Sequence, residues 1–189
     1  AALDIRTQTK DVRGQGVSLN TIGYIELDRG NFDAAEARLT KALHIRDGSG
    51  DHEGTVQTRI ALGRLAFQRG EIAEAIEIYG VALTAAREMD NRRLQSYLLD
   101  TLGEAYLANG QPDDAESVLA EAKTLAESMR DQRVLADIER NLALVAIERG
   151  EESAGAKLQR ALQLALDYGT REAIALAHRS IARMKARTL

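Results

Sequence analysis

Apolar residues recur along this chain in steps of four and three, and the pattern of steps itself returns every forty residues. It places Ala35, Leu39 and Ala42 on one stretch, Ala75, Tyr79 and Ala82 on the next, and Ala115, Leu119 and Ala122 on a third. Such steps keep one face of a helix toward a core while polar residues take the other face. Each stretch follows a second amphipathic segment with a glycine inside it: Gly23, Gly63 or Gly103. Seven residues further on a second glycine closes that segment, at Gly30, Gly70 and Gly110, and Gly150 keeps the register. The pattern predicts a helix hairpin copied along the chain, one supersecondary unit per period.

Glycine inside a helix costs ~1 kcal/mol relative to alanine. Its return at one place in three units therefore predicts close packing against a neighbouring helix. The second glycine suits a left-handed C-terminal cap. The helix after it opens at Asn31, Glu71 or Gln111, and Pro112 with Asp113, Asp114 and Glu116 is a strong start signal. A fourth unit departs from the pattern: Leu142-Ala143 replaces the Leu-Gly pair, and Ala161-Leu162 arrive one residue early, so this hairpin is a residue short. From Thr170 to about Lys185 a last helix is expected, with Ala173, Leu176, Ala177 and Ile181 on its apolar face. Ala2-Leu3 lie one period before Ala42-Leu43, so the chain reads as starting inside the second helix of an earlier unit, a segment of a larger protein.

Composition changes this picture little. Hydrophobic residues make up 44% and charged residues 29% of the 189 positions, with one proline. That fits a helical protein, since interior proline breaks helices. The absence of cysteine excludes disulfides, thiolate metal sites and cysteine nucleophiles. No apolar run approaches the ~20 residues of a membrane span, and the cytoplasm is the default compartment. The net charge of −4 mixes both signs without a dominant basic stripe, which argues against a nucleic-acid partner. Arg171, Arg179, Arg183, Lys185 and Arg187 gather in the last helix, and three of them lie four residues apart. We read that run as a solvated face complementing the helix's negative end; an acidic partner or nucleic acid is the alternative.

Chemistry is sparse. His44, His52 and His178 are scattered. Asp47, Asp51, His52 and Glu53 share one loop but lack the spacing of a calcium loop. Gly48, Gly50 and Gly54 follow a helix, with no Gly-Lys-Ser/Thr behind them, unlike a phosphate loop. No catalytic residue, metal or cofactor is expected.

The spacing Gly, seven residues to Gly, five to Ala and seven to Ala resembles the signature of the tetratricopeptide repeat (TPR) family, across nearly the whole chain. Tyr106 matches the family's aromatic on the first helix, and Ile22, Leu62, Leu102 and Leu142 match its Leu before the glycine. Leu19, Arg59, Leu99 and Glu139 stand where the family has Trp, and no Pro ends the second helix, as at Arg87 and Glu127. The period is 40 rather than about 34, and without that stop the second helix can run on. HEAT and armadillo units have a similar period but lack this double-Gly, double-Ala spacing. The long-helix variety is similar to the repeats of kinesin light chain, Pins-type spindle adaptors and bacterial maltose-activator and Rap-type regulators, and to repeats appended to signalling kinases and ATPase-type regulators.

The resemblance implies an all-α fold, a right-handed α-solenoid of antiparallel helix hairpins with a terminal capping helix. In that register residues 1–11 end a preceding second helix, 12–50, 51–90, 91–130 and 131–169 are four repeats of a single array, and 170–189 cap it. It also implies protein or peptide binding without catalysis, in a concave groove lined by the first helices, within a larger regulatory or signalling protein. The groove positions are then Asn20, Tyr24, Gln57, Arg64, Tyr97, Asp100, Glu104, Asp137 and Arg140, with Val17, Leu27, Asp28, Ile60, Phe67, Gln68, Leu107, Leu144, Ile147 and Glu148 alongside. Charges there need a match, either from a partner or from each other across adjacent helices. Tyr24, Phe67 and Tyr97 are candidate aromatic anchors, with helix packing the plainer role for Phe67. The family members that grip a C-terminal carboxylate use Lys and Asn at set places; Asp100 and Glu104 would repel one. A structural or self-association role through the array ends is the second class of function.

Overall fold

The computed structural model describes residues 2–9 and 11–187, save the side chains of Ala2, Glu172, Arg183, Lys185 and Arg187. The chain divides into two compact units, Ala1–Asp90 and Asn91–Leu189. The first holds α1 (Ala2–Gln8), α2 (Val12–Asp28), α3 (Phe32–Gly48), α4 (His52–Arg69) and α5 (Ile72–Glu88). The second holds α6 (Arg92–Ala108), α7 (Pro112–Met129), α8 (Gln132–Glu148), α9 (Ala154–Tyr168) and α10 (Arg171–Arg187). No strand occurs among the described residues. Within the first unit α2 pairs with α3 and α4 with α5, and α4 also packs on α2 and α3. Within the second, α6 pairs with α7 and α8 with α9, α8 packs on α6 and α7, and α10 lies against α8 and α9.

The glycines inside the first helices are seats. A Cβ added to Gly23 would lie 2.6 Å from the Leu39 side chain, and one added to Gly103 would lie 2.5 Å from Leu119. One added to Gly63 would run into the Tyr79 ring. Leu39, Tyr79 and Leu119 are all buried. A large residue of each second helix thus rests on bare backbone of the first, at the density of a packed interior. In the shortened fourth hairpin Ala143 and Leu158 hold these places, both buried, and α9 starts only at Ala154.

Both ends of the helices are marked at a fixed spacing. Asp11, Asp51, Asn91 and Asp131 each accept a hydrogen bond from the backbone N–H three residues on, at 2.9–3.3 Å. Thr170, a residue early like the hairpin before it, does the same for Ala173 at 3.1 Å. Caps of this kind contribute ~1 kcal/mol each. Positive φ recurs every twenty residues, at Gly30, Gly50, Gly70, Asp90, Gly110, Arg130 and Gly150. The second helices run past Arg87 and Glu127, where the family has proline, by one residue and two, before a left-handed residue ends them. They stop at Gly48, Glu88 and Met129, each followed within two residues by a left-handed one.

One junction in the first unit is polar. Arg46, 3% exposed, donates from Nη1 to the Gly54 carbonyl at 2.5 Å and to Thr58 Oγ1 at 3.0 Å, with Asp51 3.7 Å from its Nε. A Cβ on Gly16 would lie 2.9 Å from the Arg46 side chain, and one on Gly54 would lie equally near it. Arg6 repeats the arrangement forty residues earlier, donating to the Gly14 carbonyl at 2.7 Å and to Ser18 Oγ at 2.8 Å. In the second unit the places of Arg46, Gly54 and Thr58 are taken by Ala126, Val134 and Ile138.

Candidate interaction surface

The first helix of each hairpin carries two faces. One seats the second helix through the glycines just described; the other holds the residues expected to line a groove. In the first unit that face is largely self-contained. Arg64 Nη2 lies 2.9 Å from Asp28 Oδ1, an exposed pair between α4 and α2, of the kind that contributes ~0–1 kcal/mol. Gln57 is exposed, Tyr24 is half-buried and Asn20 is buried, its Oδ1 without a hydrogen-bond partner. Tyr24 packs on the core cluster of Leu27, Ala35 and Leu65. Leu27 is thus a core residue rather than a groove residue, and Ile60 is buried with it in the interior of the unit. Phe67 is half-buried.

In the second unit the corresponding face is charged. Tyr97 and Glu104 on α6 are exposed, Asp100 and Asp137 are half-buried, and Arg140 on α8 is buried. Asp100 accepts a hydrogen bond at 2.8 Å from Nδ2 of Asn141, a fully buried residue that the repeat spacing does not single out. Burial pushes the Asp100 carboxyl up to about 7, and the neighbouring Asp137 and Glu104 push it the same way. The Asn141 hydrogen bond and the Arg140 charge oppose them and fall short. The Arg140 Nε is buried with no hydrogen-bond partner. Beside Asp137 a cavity of about 950 Å³ opens, lined by Arg93, Arg130, Arg133, Asp167 and Tyr168 among others. The structure thus brings Asp100, Glu104, Asp137 and Arg140 together on α6 and α8, and places Asn20, Tyr24, Gln57 and Arg64 on α2 and α4.

The remaining candidates have structural work. Asp51 caps α4, while Asp47 accepts from Thr55 Oγ1 at 2.9 Å and lies 3.8 Å from Arg59. Gly54 lies inside α4 beneath Arg46. Among the described residues no group of three or more His, Asp or Glu is placed to hold a metal ion. Arg171 and Arg179 are exposed on α10; the side chains of Arg183, Lys185 and Arg187 lie outside the described residues. No helix among the described residues is long and apolar enough to cross a membrane.

Comparison with known proteins agrees with this architecture. Two family models described as tetratricopeptide repeat match residues 14–88 and 98–133, together more than half of the chain. No curated protein sequence matches it. Among solved structures the chain is similar to BtubC (BKLC) from P. vanneervenii, at 14% identity and a TM-score of 0.81 over 97% of this chain and 78% of that one. It is also similar to a signal transduction ATPase with numerous domains, with a tetratricopeptide repeat sensor, from Pyrococcus horikoshii. There the identity is 16% and the TM-score 0.76 over 89% of this chain, which spans only 26% of that protein. A putative kinesin light chain from Podosopora anserina with nearly identical TPR-like repeats matches at 16% identity and a TM-score of 0.70, over 88% of this chain and 83% of that one. At these identities the likeness is one of fold, an α-solenoid of helix hairpins. By its glycine seats, its hairpin order and the family models that match it, the chain belongs to the tetratricopeptide repeat family, whose fold is generally a protein-interaction module and typically non-enzymatic.

Proposed function

We propose that this chain binds a peptide or an extended segment of a protein partner along the exposed face of its first helices, as a recruiting module of a larger signalling or regulatory protein. The observation that carries the reading is the division of labour on those helices. Their glycine face is consumed by packing, whereas Gln57, Arg64, Tyr97 and Glu104 stay exposed on the other side. Exposed aromatic and charged groups on a rigid helical scaffold are the usual anchors and selectors of an interface. The likeness to a tetratricopeptide repeat sensor in a signal transduction ATPase supports the regulatory setting.

The test uses a displayed library of random 12-residue peptides (an arbitrary length of roughly 35–40 Å when extended), selected on the whole chain. Alanine at Gln57 or Arg64 should weaken binders seated on the first unit, and alanine at Tyr97 or Glu104 those seated on the second, at least ~10-fold, about 1.4 kcal/mol. Alanine at Arg38, Lys41 or Thr84, exposed on second helices, should leave them unchanged. The opposite result, binding lost from the second helices and kept on the first, assigns the surface to the other side of the hairpins and ends this reading.

A further inference from the structure

Three arginines line the cavity of the second unit and find no acceptor in it. Arg93, Arg130 and Arg133 are exposed, and among the described residues their guanidinium groups have no hydrogen bond or ion pair. Arg93 and Arg133 stand forty residues apart, in the first turns of α6 and α8. A cation there faces the positive end of the helix dipole, which disfavours it. In the first unit the same register holds Arg13 and Glu53. Arg13 lies 3.8 Å from Asp51, and Glu53 suits the dipole. Arg130 follows α7 with φ 55°, at a stop that is glycine in five of seven cases and otherwise Asp90. A long side chain is thus kept where the backbone disfavours one.

The acids of the cavity are engaged elsewhere. Asp131 caps α8 through the Val134 N–H at 3.3 Å, and Asp167 accepts from Gln163 Nε2 at 3.0 and 3.1 Å. Asp137 is not free either, and it pushes the Asp100 carboxyl up from α8. Three aspartates beside three arginines leave the lining neutral in sum, so it is not a general collector of anions. What it offers is guanidinium donors in a concave site, and a carboxylate accepts two such donors at once. Arg93 lies one turn before Tyr97 and Arg133 one turn before Asp137, so the cavity continues the face proposed for the partner. We propose that this cavity receives an acidic side chain, Asp or Glu, of the protein partner. The inference rests on the peptide-binding reading above and adds the chemistry of one partner residue.

Selected binders that are weakened by Tyr97→Ala serve as probes, each with a copy in which Asn and Gln replace every Asp and Glu. The parent peptides should contain an acid whose replacement costs at least ~10-fold in affinity. Arg130→Gly with Arg133→Gln should cost a similar factor for the parent and nothing further for its amide copy, the signature of a direct pair in a double-mutant cycle. Arg38→Gln with Lys41→Gln removes two exposed cations from α3 and should leave both peptides unchanged. An equal loss from that control means that net charge, not a site, attracts the acid, and overturns the inference. Helix content by circular dichroism confirms that each variant is folded. Binders that depend on Tyr97 but are indifferent to their own acids, or to Arg130 and Arg133, overturn this inference and leave the peptide-binding reading standing. So does a set of binders seated wholly on the first unit. Failure to select any binder overturns both.

Discussion

The two units share one backbone rhythm and bury charge of opposite sign in their junctions. In the first, a cation is buried in the junction of α3 and α4, where Arg46 is held between Gly16 and Gly54 and bonded to α4. The exposed face of α2 and α4 carries the Arg64–Asp28 pair. In the second, the places of Arg46 and Thr58 are apolar, with Ala126 and Ile138 fully buried; the charge buried between α7 and α8 is instead the acid Glu139, 2.8 Å from Lys123, and a further carboxyl, that of Asp100, is raised between α6 and α8. What both keep is the glycine seat, the Asx cap and the left-handed stop. Those features fix the hairpin, while the junction and the inner face vary around them. The Arg46 junction is thus one solution to packing among two, and on the face of α6 and α8 Asp100 is tied to the buried Asn141.

The largest effect should come from breaking the polar junction. Burial lowers the Arg46 pKa while Asp51 works to restore it, so the guanidinium keeps its charge inside the unit. Arg46→Ala removes two hydrogen bonds, leaves a void between two glycines and strips Asp51 of a cation. A loss of about 3 kcal/mol is expected in urea unfolding. Importing the second unit's residues, Arg46→Ala with Gly54→Val and Thr58→Ile, should recover at least half of that loss, since an apolar replacement of a buried ionic group is often neutral. A triple variant no more stable than the single one would show that the two junctions are not interchangeable.

The second effect distinguishes the charged faces of the first helices. Asp100 has a folded-state pKa of about 7, above the ordinary carboxylate value of 3.8. Between those values the folded chain holds more protons than the unfolded one, so this group's contribution falls as pH rises from about 4 to about 7, and the penalty is complete above 7. Asp100→Asn should therefore raise stability by roughly 2 kcal/mol at pH 8, and the gain should vanish at pH 4. Asp28→Asn in the first unit removes only an exposed pair and should change melting at pH 8 by less than ~1 kcal/mol. Equal profiles for the two variants would erase the contrast between the faces.

The sequence discloses the hairpins better than the site. Gly23, Gly63 and Gly103 predict close approach because an unfavourable residue returns in register, and the structure seats Leu39, Tyr79 and Leu119 on them. The cap column at residues 11, 51, 91 and 131 lies in the same register. It escapes a search for small and apolar repeats because its residues are polar and sit between helices. The Arg46 junction is legible only once Arg6, Gly14 and Ser18 are set over Arg46, Gly54 and Thr58, a spacing that occurs twice rather than four times. For the surface, helical periodicity places Asp100, Glu104, Asp137 and Arg140 on one face, but not the burial that alters Asp100. That burial comes from the packing of α8 on α6, which also brings Asn141, forty-one residues away in the chain, into hydrogen-bond contact with the carboxylate.

The smallest effect probes the stop signal, again by exchanging what the units hold at one place. Gly50 and Arg130 both follow a second helix with positive φ, at 68° and 55°. Nothing lies within 4 Å of a Cβ built on Gly50, so a side chain there meets no clash and its cost is conformational alone. Gly50→Ala should thus lose about 1 kcal/mol. Arg130→Gly relieves the same strain in the second unit but loosens the unfolded chain, so the two contributions oppose and the net gain should be about 0.5 kcal/mol. Urea midpoints for the two variants carry opposite signs if the left-handed residue is what ends these helices. Should both variants lose stability, the Arg130 side chain contributes more through its surroundings than its backbone strain costs, and the stop in the second unit rests on contacts rather than on conformation.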